Sequence, residues 1–168
     1  VAELAGSEVS AVGLTGQMHG VVLLDGEGKV LRPSIIWCDQ RSQAQCEWIT
    51  QKVGAKRLLE LAANPALTGF TLPKLLWIRD NEPEVYQRAE KLLLPKDYIR
   101  FLLTDSFATE VSDASGTLLL DVRGRRWSEE MLAATGIERG LLPEVYESPQ
   151  VSGRISPEGA EATGLLAG

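Results

Sequence analysis

Short apolar runs alternate with stretches in which apolar residues recur every three or four positions, and this pattern predicts a mixed α/β domain. The apolar runs predict short strands at residues 9–14, 21–24, 29–31, 34–37 and 91–94. Asp25 and Gly26 separate the second run from the third, which predicts a β-hairpin at that point. Residues 106–110 are expected to form a loop or a further short strand.

The first predicted helix follows Asp39, whose carboxylate is well placed to cap its first turn. Its apolar positions have helical spacing and are Ala44, Cys46, Trp48, Ile49 and Val53. A second helix is predicted to begin at Thr71 as its cap, with Pro73 near the first helical position. On that helix we expect Lys74 and Arg79 to face water while the apolar residues pack inward.

Three further helices carry their own start and stop signals. Pro95 begins one that runs to Thr104, and its predicted core-facing positions are Tyr98, Ile99 and Leu102. The other two each begin at a serine cap and end at a glycine, and they cover residues 128–136 and 156–164.

The His19 loop, residues 13–20, holds three glycines, a threonine and the single histidine of the chain. Glycine lets a small ligand approach the backbone closely, and Met18 and His19 offer an apolar contact beside a hydrogen-bonding edge. A sugar or polyol could use both. The loop lacks the Gly-Lys-[Ser/Thr] ending of a phosphate-binding loop and the glycine spacing of a dinucleotide site. A purely structural role for His19 in the turn is the alternative.

A second loop, after the run at residues 34–37, brings further candidate chemistry. Trp37 offers a flat apolar wall and Asp39 a carboxylate, and both could converge with His19 at the ends of strands. Each has an ordinary structural alternative. Trp37 could belong to the core, Asp39 could cap the next helix, and Arg41 could be a solvated side chain of its first turn.

Composition narrows the class of protein. The 168 residues are 44% apolar and 24% charged, which is typical of a globular domain. The net charge of −6 disfavours nucleic acid or an anionic membrane as partner. No apolar run approaches the roughly 20 residues of a membrane span, and residues 1–6 lack the pattern of a secretory signal. We therefore expect a cytoplasmic protein.

The two cysteines and the two chain ends complete the direct reading of the residues. Cys38 and Cys46 have no histidine at ligand spacing, so we expect reduced, partly buried thiols and no metal site. The chain begins with Val1, near the expected end of a helix, and stops just after the last predicted helix. No linker or repeat divides it. We expect one piece of a single domain from a larger protein.

One stretch carries a specific resemblance. It is formed by Gly69, Thr71, Lys74, Leu75, Trp77, Ile78, Asp80 and Asn81. These residues resemble the first signature of the carbohydrate kinase (FGGY) family and fill every position that it demands. The family includes glycerol kinases, ribulokinases, gluconate kinases and xylulokinases. Residues 31–41, 94–98 and 112–117 also resemble the family. Within the family, residues 16–20 are most similar to bacterial xylulokinases.

The resemblance implies an α/β fold, the two-lobed actin-like architecture built on ribonuclease-H-like sheets. This chain, residues 1–168, would be a fragment of the N-terminal, sugar-binding lobe, with no second domain. ATP and Mg²⁺ would be bound mainly by parts of the protein absent here. The catalytic base, an aspartate, is expected beyond Gly168. Asp113 superficially resembles that motif but matches a first-lobe position, so we do not assign it as the base.

The resemblance also implies an activity for the intact protein, the ATP-dependent phosphorylation of D-xylulose to D-xylulose 5-phosphate. Met18 and His19 match positions that contact the sugar, whereas glycerol kinases place a charged pair there. We thus expect Met18, His19, Trp37 and Asp39 to bind substrate, and no catalytic, cofactor-binding or metal-binding residue in this chain. The chain alone should be inactive. Another sugar kinase of the family, or a non-catalytic sugar- or protein-binding domain, is the alternative, and a homodimer is an open expectation.

Overall fold

A computed structural model describes residues 9–168, and the expected helix end at residues 1–6 lies outside the described residues. The strands are β1 (Val22–Leu24), β2 (Lys91–Leu93), β3 (Ala108–Glu110), β4 (Leu120–Asp121), β5 (Arg126–Trp127) and β6 (Glu144–Tyr146). The helices are α1 (Gln43–Val53), α2 (Ala55–Ala62), α3 (Thr71–Asn81), α4 (Pro83–Arg88), α5 (Pro95–Thr104), α6 (Val111–Ala114), α7 (Glu129–Thr135) and α8 (Pro157–Thr163). Short 3-10 turns cover Ser115–Thr117 and Arg139–Leu141.

The strands pair in three small sheets. β1 runs antiparallel to β2, β4 runs antiparallel to β5, and β3 runs parallel to β6. The turn of the predicted hairpin is confirmed, because the Asp25 N–H donates to the Lys29 carbonyl at 3.0 Å. The strands predicted at residues 29–31 and 34–37 are each reduced to a single bridge, Val30 with Leu24 and Ile35 with Val21. The predicted strand at residues 9–14 is wrong. Nothing in the described chain pairs with that backbone, and an unpaired segment cannot form a ladder.

The main core lies where α1, α2, α3 and α7 meet β1 and the segment just before β4. Leu23, Ile49, Leu75 and Leu119 are fully buried there. A smaller cluster of Val22, Leu24 and Leu93 packs on the other face of β1 and β2, against aromatic residues of α5. α3 is therefore enclosed on nearly all sides. Among the described residues, no helix combines the length and the apolarity that crossing a bilayer requires.

The end signals of the last helices are confirmed. The Ser128 hydroxyl accepts a hydrogen bond from the Met131 N–H at 3.2 Å, and the Ser156 hydroxyl accepts one from the Gly159 N–H at 3.0 Å. Both helices end at a glycine in the left-handed conformation. α5 runs from Pro95 to Thr104 as predicted. These signals succeed because a cap satisfies backbone groups that the helix itself leaves unpaired.

The predicted inward face of α5 is only partly right. Tyr98 packs against the smaller cluster, but Ile99 and Leu102 are 49% and 51% exposed. The buried positions of α5 are Asp97 and Arg100 instead. α5 has two inward sides: Tyr98 and Phe101 meet the smaller apolar cluster, whereas Asp97 and Arg100 meet charged groups and form ion pairs.

Candidate functional site

The structure holds His19 in a left-handed backbone conformation that few residues other than glycine adopt. Its φ angle is 65°. The imidazole is half-buried and meets the Phe70 ring edge-on, with 5.1 Å between the ring centroids. Its Nδ1 atom is buried against the Gly116 backbone, where a methyl group on Gly116 would lie 2.3 Å from it.

Two side chains of α3 hold the His19 backbone. The ammonium of Lys74 donates a hydrogen bond to the His19 carbonyl at 3.4 Å, and the Thr71 hydroxyl donates to the same oxygen at 3.3 Å. Lys74 also donates to the carbonyls of Gly69 and Phe70, the latter at 2.8 Å. The expectation that Lys74 faces water is thus wrong, because the side chain is fully buried. Its ammonium instead satisfies three backbone carbonyls.

A bare glycine backbone supports the imidazole of His19 on its other side. A methyl group on Gly116 would lie 2.2 Å from Cε1 of His19, so only glycine leaves room for the ring. Gly20, at the end of the His19 loop, is also crowded, because a methyl group on it would lie 2.5 Å from Cγ of Pro95. The His19 loop therefore sits against three elements: the start of α3, the start of α5 and the turn after α6.

The charges around His19 favour a neutral imidazole. Burial lowers its pKa from 6.5, the ammonium of Lys74 lowers it further, and the Gly116 backbone opposes these effects. Burial also lowers the pKa of Lys74 to about 8, while the nearby carboxylate of Asp39 pulls it upward. A neutral imidazole offers one donor and one acceptor. A sugar hydroxyl, which can donate or accept, can therefore pair with one of the two ring nitrogens in either protonation pattern.

Met18 and Trp37 lie on the surface. Met18 is 54% exposed and Trp37 is 55% exposed. The carbonyl oxygen of Trp37 would contact a methyl group on Gly69 at 3.4 Å, so the loop after residue 36 adjoins the carbonyls that bind Lys74. Two apolar side chains are thus available to a ligand. That they contact one together with His19 stays a prediction.

Asp39 does not cap α1, and that expectation is wrong. The helix begins at Gln43 with Ser42 as its cap residue, and the carboxylate of Asp39 instead accepts a hydrogen bond from the Arg41 N–H at 2.9 Å. The Arg41 guanidinium pairs with Asp39 at 2.8 Å and stacks on the Trp77 ring. Hydrogen bonds from Arg41 lower the pKa of Asp39. The carboxylate is therefore ionised and available as an acceptor.

A buried cluster of charges lies next to the His19 loop. It includes Asp113 and two residues of the 94–98 segment, but the sequence did not predict that they come together. The ammonium of Lys96 lies 2.7 Å from Asp97, 3.4 Å from Asp113 and 3.7 Å from Glu110. Arg100 pairs with Asp97 at 2.9 Å. Four of these residues line a cavity of about 490 Å³, Asp113 being the exception. The three-residue spacing of Asp97 and Arg100 on a helix was the available signal.

These acidic residues do not form a magnesium site. Their carboxylates converge on the ammonium of Lys96, and within residues 9–168 no three His, Cys, Asp or Glu side chains are arranged to hold a metal. The Lys96 ammonium lies where a metal ion would have to bind between these carboxylates. Cys38 is exposed and Cys46 is buried, and both are free thiols. Burial raises the pKa of Cys46, which makes it unreactive.

Comparison with known proteins gives a consistent result. The xylulose kinase of Lactococcus lactis subsp. lactis (strain IL1403) is 48% identical over 156 residues, which cover 93% of this chain and 31% of that protein. The xylulose kinase of Escherichia coli (strain K12) is 44% identical over 158 residues, 94% of this chain and 32% of that protein. The chain thus spans less than a third of the length of these relatives.

A solved structure agrees with the sequence relatives. The crystal structure of a xyloylose kinase from Brucella ovis superposes with a TM-score of 0.85 at 41% identity, covering 90% of this chain and 31% of that one. The predicted fold class is confirmed, since the chain has the fold of the N-terminal part of the actin-like sugar kinases. Residues 2–168 match the N-terminal domain of the FGGY family of carbohydrate kinases, and the chain belongs to that family.

Proposed function

We propose that this chain is the sugar-binding part of the N-terminal lobe of a xylulose kinase. The longer protein would transfer the γ-phosphoryl group of ATP to the C5 hydroxyl of D-xylulose. The observation that carries the proposal is the geometry of His19, a neutral imidazole fixed in a left-handed turn beside the exposed Met18. The 48% identity to the Lactococcus lactis protein named xylulose kinase supports the choice of sugar.

Each residue of the site has a distinct task in this proposal. His19 exchanges hydrogen bonds with a sugar hydroxyl, and Met18 and Trp37 pack on the C–H faces of the carbon chain. Asp39, held by Arg41, accepts a hydrogen bond from a second hydroxyl. These residues bind and orient the sugar. The aspartate that takes the proton from the reacting hydroxyl, and the groups that hold ATP and Mg²⁺, would lie in parts of the protein outside this chain.

We propose a cytoplasmic location for this enzyme, because its donor ATP is present there. A sugar is then the expected small-molecule partner.

The proposal is tested by replacing His19 with asparagine in the full-length protein. Asparagine tolerates the left-handed conformation but lacks the reach of the imidazole, so the turn is kept while the contact is lost. Loss of one hydrogen bond to a buried ligand group costs about 1–3 kcal/mol, so kcat/KM for D-xylulose should fall roughly 5- to 150-fold. KM for ATP and the melting temperature should be unchanged.

The exposed neighbour Gln17 provides a matched control on the same loop. Gln17→Ala should leave the kinetics of both substrates as in the wild type. Unchanged D-xylulose kinetics in His19→Asn would remove His19 from the site. Glycerol and gluconate serve as alternative acceptors in the same assay, and faster turnover of either would assign the chain to another sugar kinase of the family. No sugar-dependent ADP release with any acceptor would favour a non-catalytic binding domain.

A further inference from the structure

Lys74 is an unusual buried lysine. Its side chain is fully buried on α3, and among residues 9–168 no carboxylate lies within ion-pair distance of its ammonium. Burying an ammonium is costly unless other groups replace its water shell. Three backbone carbonyls do so, those of His19, Gly69 and Phe70. Such a costly arrangement calls for a role beyond filling space in the core.

The three carbonyls belong to two segments that are far apart in the sequence. One is in the His19 loop, and the other two immediately precede α3. The hydroxyl of Thr71 adds a second donor to the His19 carbonyl. The ammonium therefore ties the left-handed turn to the beginning of a helix that is packed on nearly all sides.

The side chain of His19 is confined as tightly as its backbone. The Phe70 ring meets it edge-on, and the bare backbone of Gly116 lies beneath it. Phe70 itself gives its carbonyl to Lys74, at 2.8 Å. One ammonium thus fixes both the carbonyl of the sugar-contacting residue and the residue that packs against its ring.

We propose that Lys74 is a positioning residue for sugar binding, which acts through His19 by holding the His19 loop on the start of α3. This inference rests on the proposed function. Lysine suits the task because its ammonium has three donors for three acceptors. A site whose binding residue is fixed in advance loses less conformational freedom when the ligand arrives, so affinity depends on the residues that fix it.

The test is a double-mutant cycle in the full-length protein, with KM and kcat for D-xylulose as readout. Lys74→Met keeps the length of the side chain and removes the three hydrogen bonds. We expect KM for D-xylulose to rise roughly 10- to 100-fold, with a change of less than about threefold in kcat and in KM for ATP. In a His19→Asn background the same substitution should raise KM by less than about twofold, because the residue it positions is already gone.

Thr71→Val is the second variant, in case Lys74→Met does not fold. It removes one donor to the His19 carbonyl with little change in shape, and KM for D-xylulose should rise roughly three- to tenfold. Thr71→Ser keeps the hydroxyl and should restore the wild-type KM. An equal effect of Lys74→Met in both backgrounds, or a lower melting temperature with unchanged KM, would overturn the positioning role. If His19→Asn alone leaves KM unchanged, the proposed function fails at its own residue, which is a separate result.

Discussion

Replacing Asp113 by asparagine should stabilise the folded protein at neutral pH. The side chain is 8% exposed and lies 3.4 Å from the ammonium of Lys96. Its other oxygen, Oδ1, is buried with no hydrogen-bond partner in the described part of the chain. Asparagine keeps the shape and removes the charge. The question is whether attraction to Lys96 outweighs the cost of burying the carboxylate.

The structure indicates that the cost of burying the carboxylate is larger than the attraction to Lys96. Burial raises the pKa of Asp113 from 3.8 to about 6. The attraction of Lys96 lowers this pKa, but repulsion from Asp97 partly offsets that attraction. Between these two pH values the folded state binds more protons than the unfolded state. Stability from this group is thus fully present below pH 3.8 and is lost as the pH rises through about 6. The difference corresponds to about 3 kcal/mol, an upper bound for the gain from Asp113→Asn at neutral pH.

Urea unfolding of the wild type and Asp113→Asn, measured side by side at about pH 4 and about pH 7.5, tests the sign. The variant should be the more stable of the two at the higher pH, and this advantage should nearly vanish at the lower pH. Asp105→Asn is the matched control, an exposed aspartate in the left-handed conformation that asparagine also tolerates. A variant that is less stable than the wild type at pH 7.5 would refute the reasoning. It would show that the pair with Lys96 is a net gain.

Two further substitutions test the packing and the charges of the same lobe. A methyl group on Gly159 would lie 2.2 Å from the Leu103 carbonyl oxygen. Gly159→Ala should therefore lower the free energy of unfolding, measured with urea, by about 1–3 kcal/mol. Gly140→Ala places its methyl group in open space and should leave that free energy unchanged. Burial raises the pKa of Glu110, but hydrogen bonds, chiefly from Ser148, outweigh this effect and lower the pKa to about 2. Glu110→Gln should therefore lower the melting temperature at neutral pH, and the difference from the wild type should shrink as the pH falls from 4.5 through about 2.

Local signals predicted five of the eight helices in the described residues, and α2, α4 and α6 were not predicted. α5, α7 and α8 begin and end where proline, serine and glycine indicate, because each of these residues acts on its own neighbours in the chain. The hairpin near Asp25 was predicted for the same reason. The strand expected at residues 9–14 failed, since a strand also needs a partner elsewhere.

Polarity was a poor guide to burial wherever charged side chains found specific partners. Lys74 and Asp97 are fully buried, and Ile99 and Leu102 are exposed. The partners of Lys74 are backbone carbonyls, and those of Asp97 are the charged side chains of Lys96 and Arg100 on the same helix. An apolar periodicity cannot report such contacts, because it assumes that the inward face of a helix meets other apolar residues.

At the candidate site, too, the sequence predicted local features but not the contacts between residues far apart in the chain. The glycines around His19 indicate a turn, and the match of Lys74 to the kinase signature marks it as a residue of interest. The turn does not reveal that His19 adopts a φ of 65°, nor does the signature reveal that Lys74 holds its carbonyl. Asp113 makes the converse point. Its neighbours resemble a catalytic motif, yet its carboxylate lies against the ammonium of Lys96, so its chemistry is set by that contact rather than by the motif.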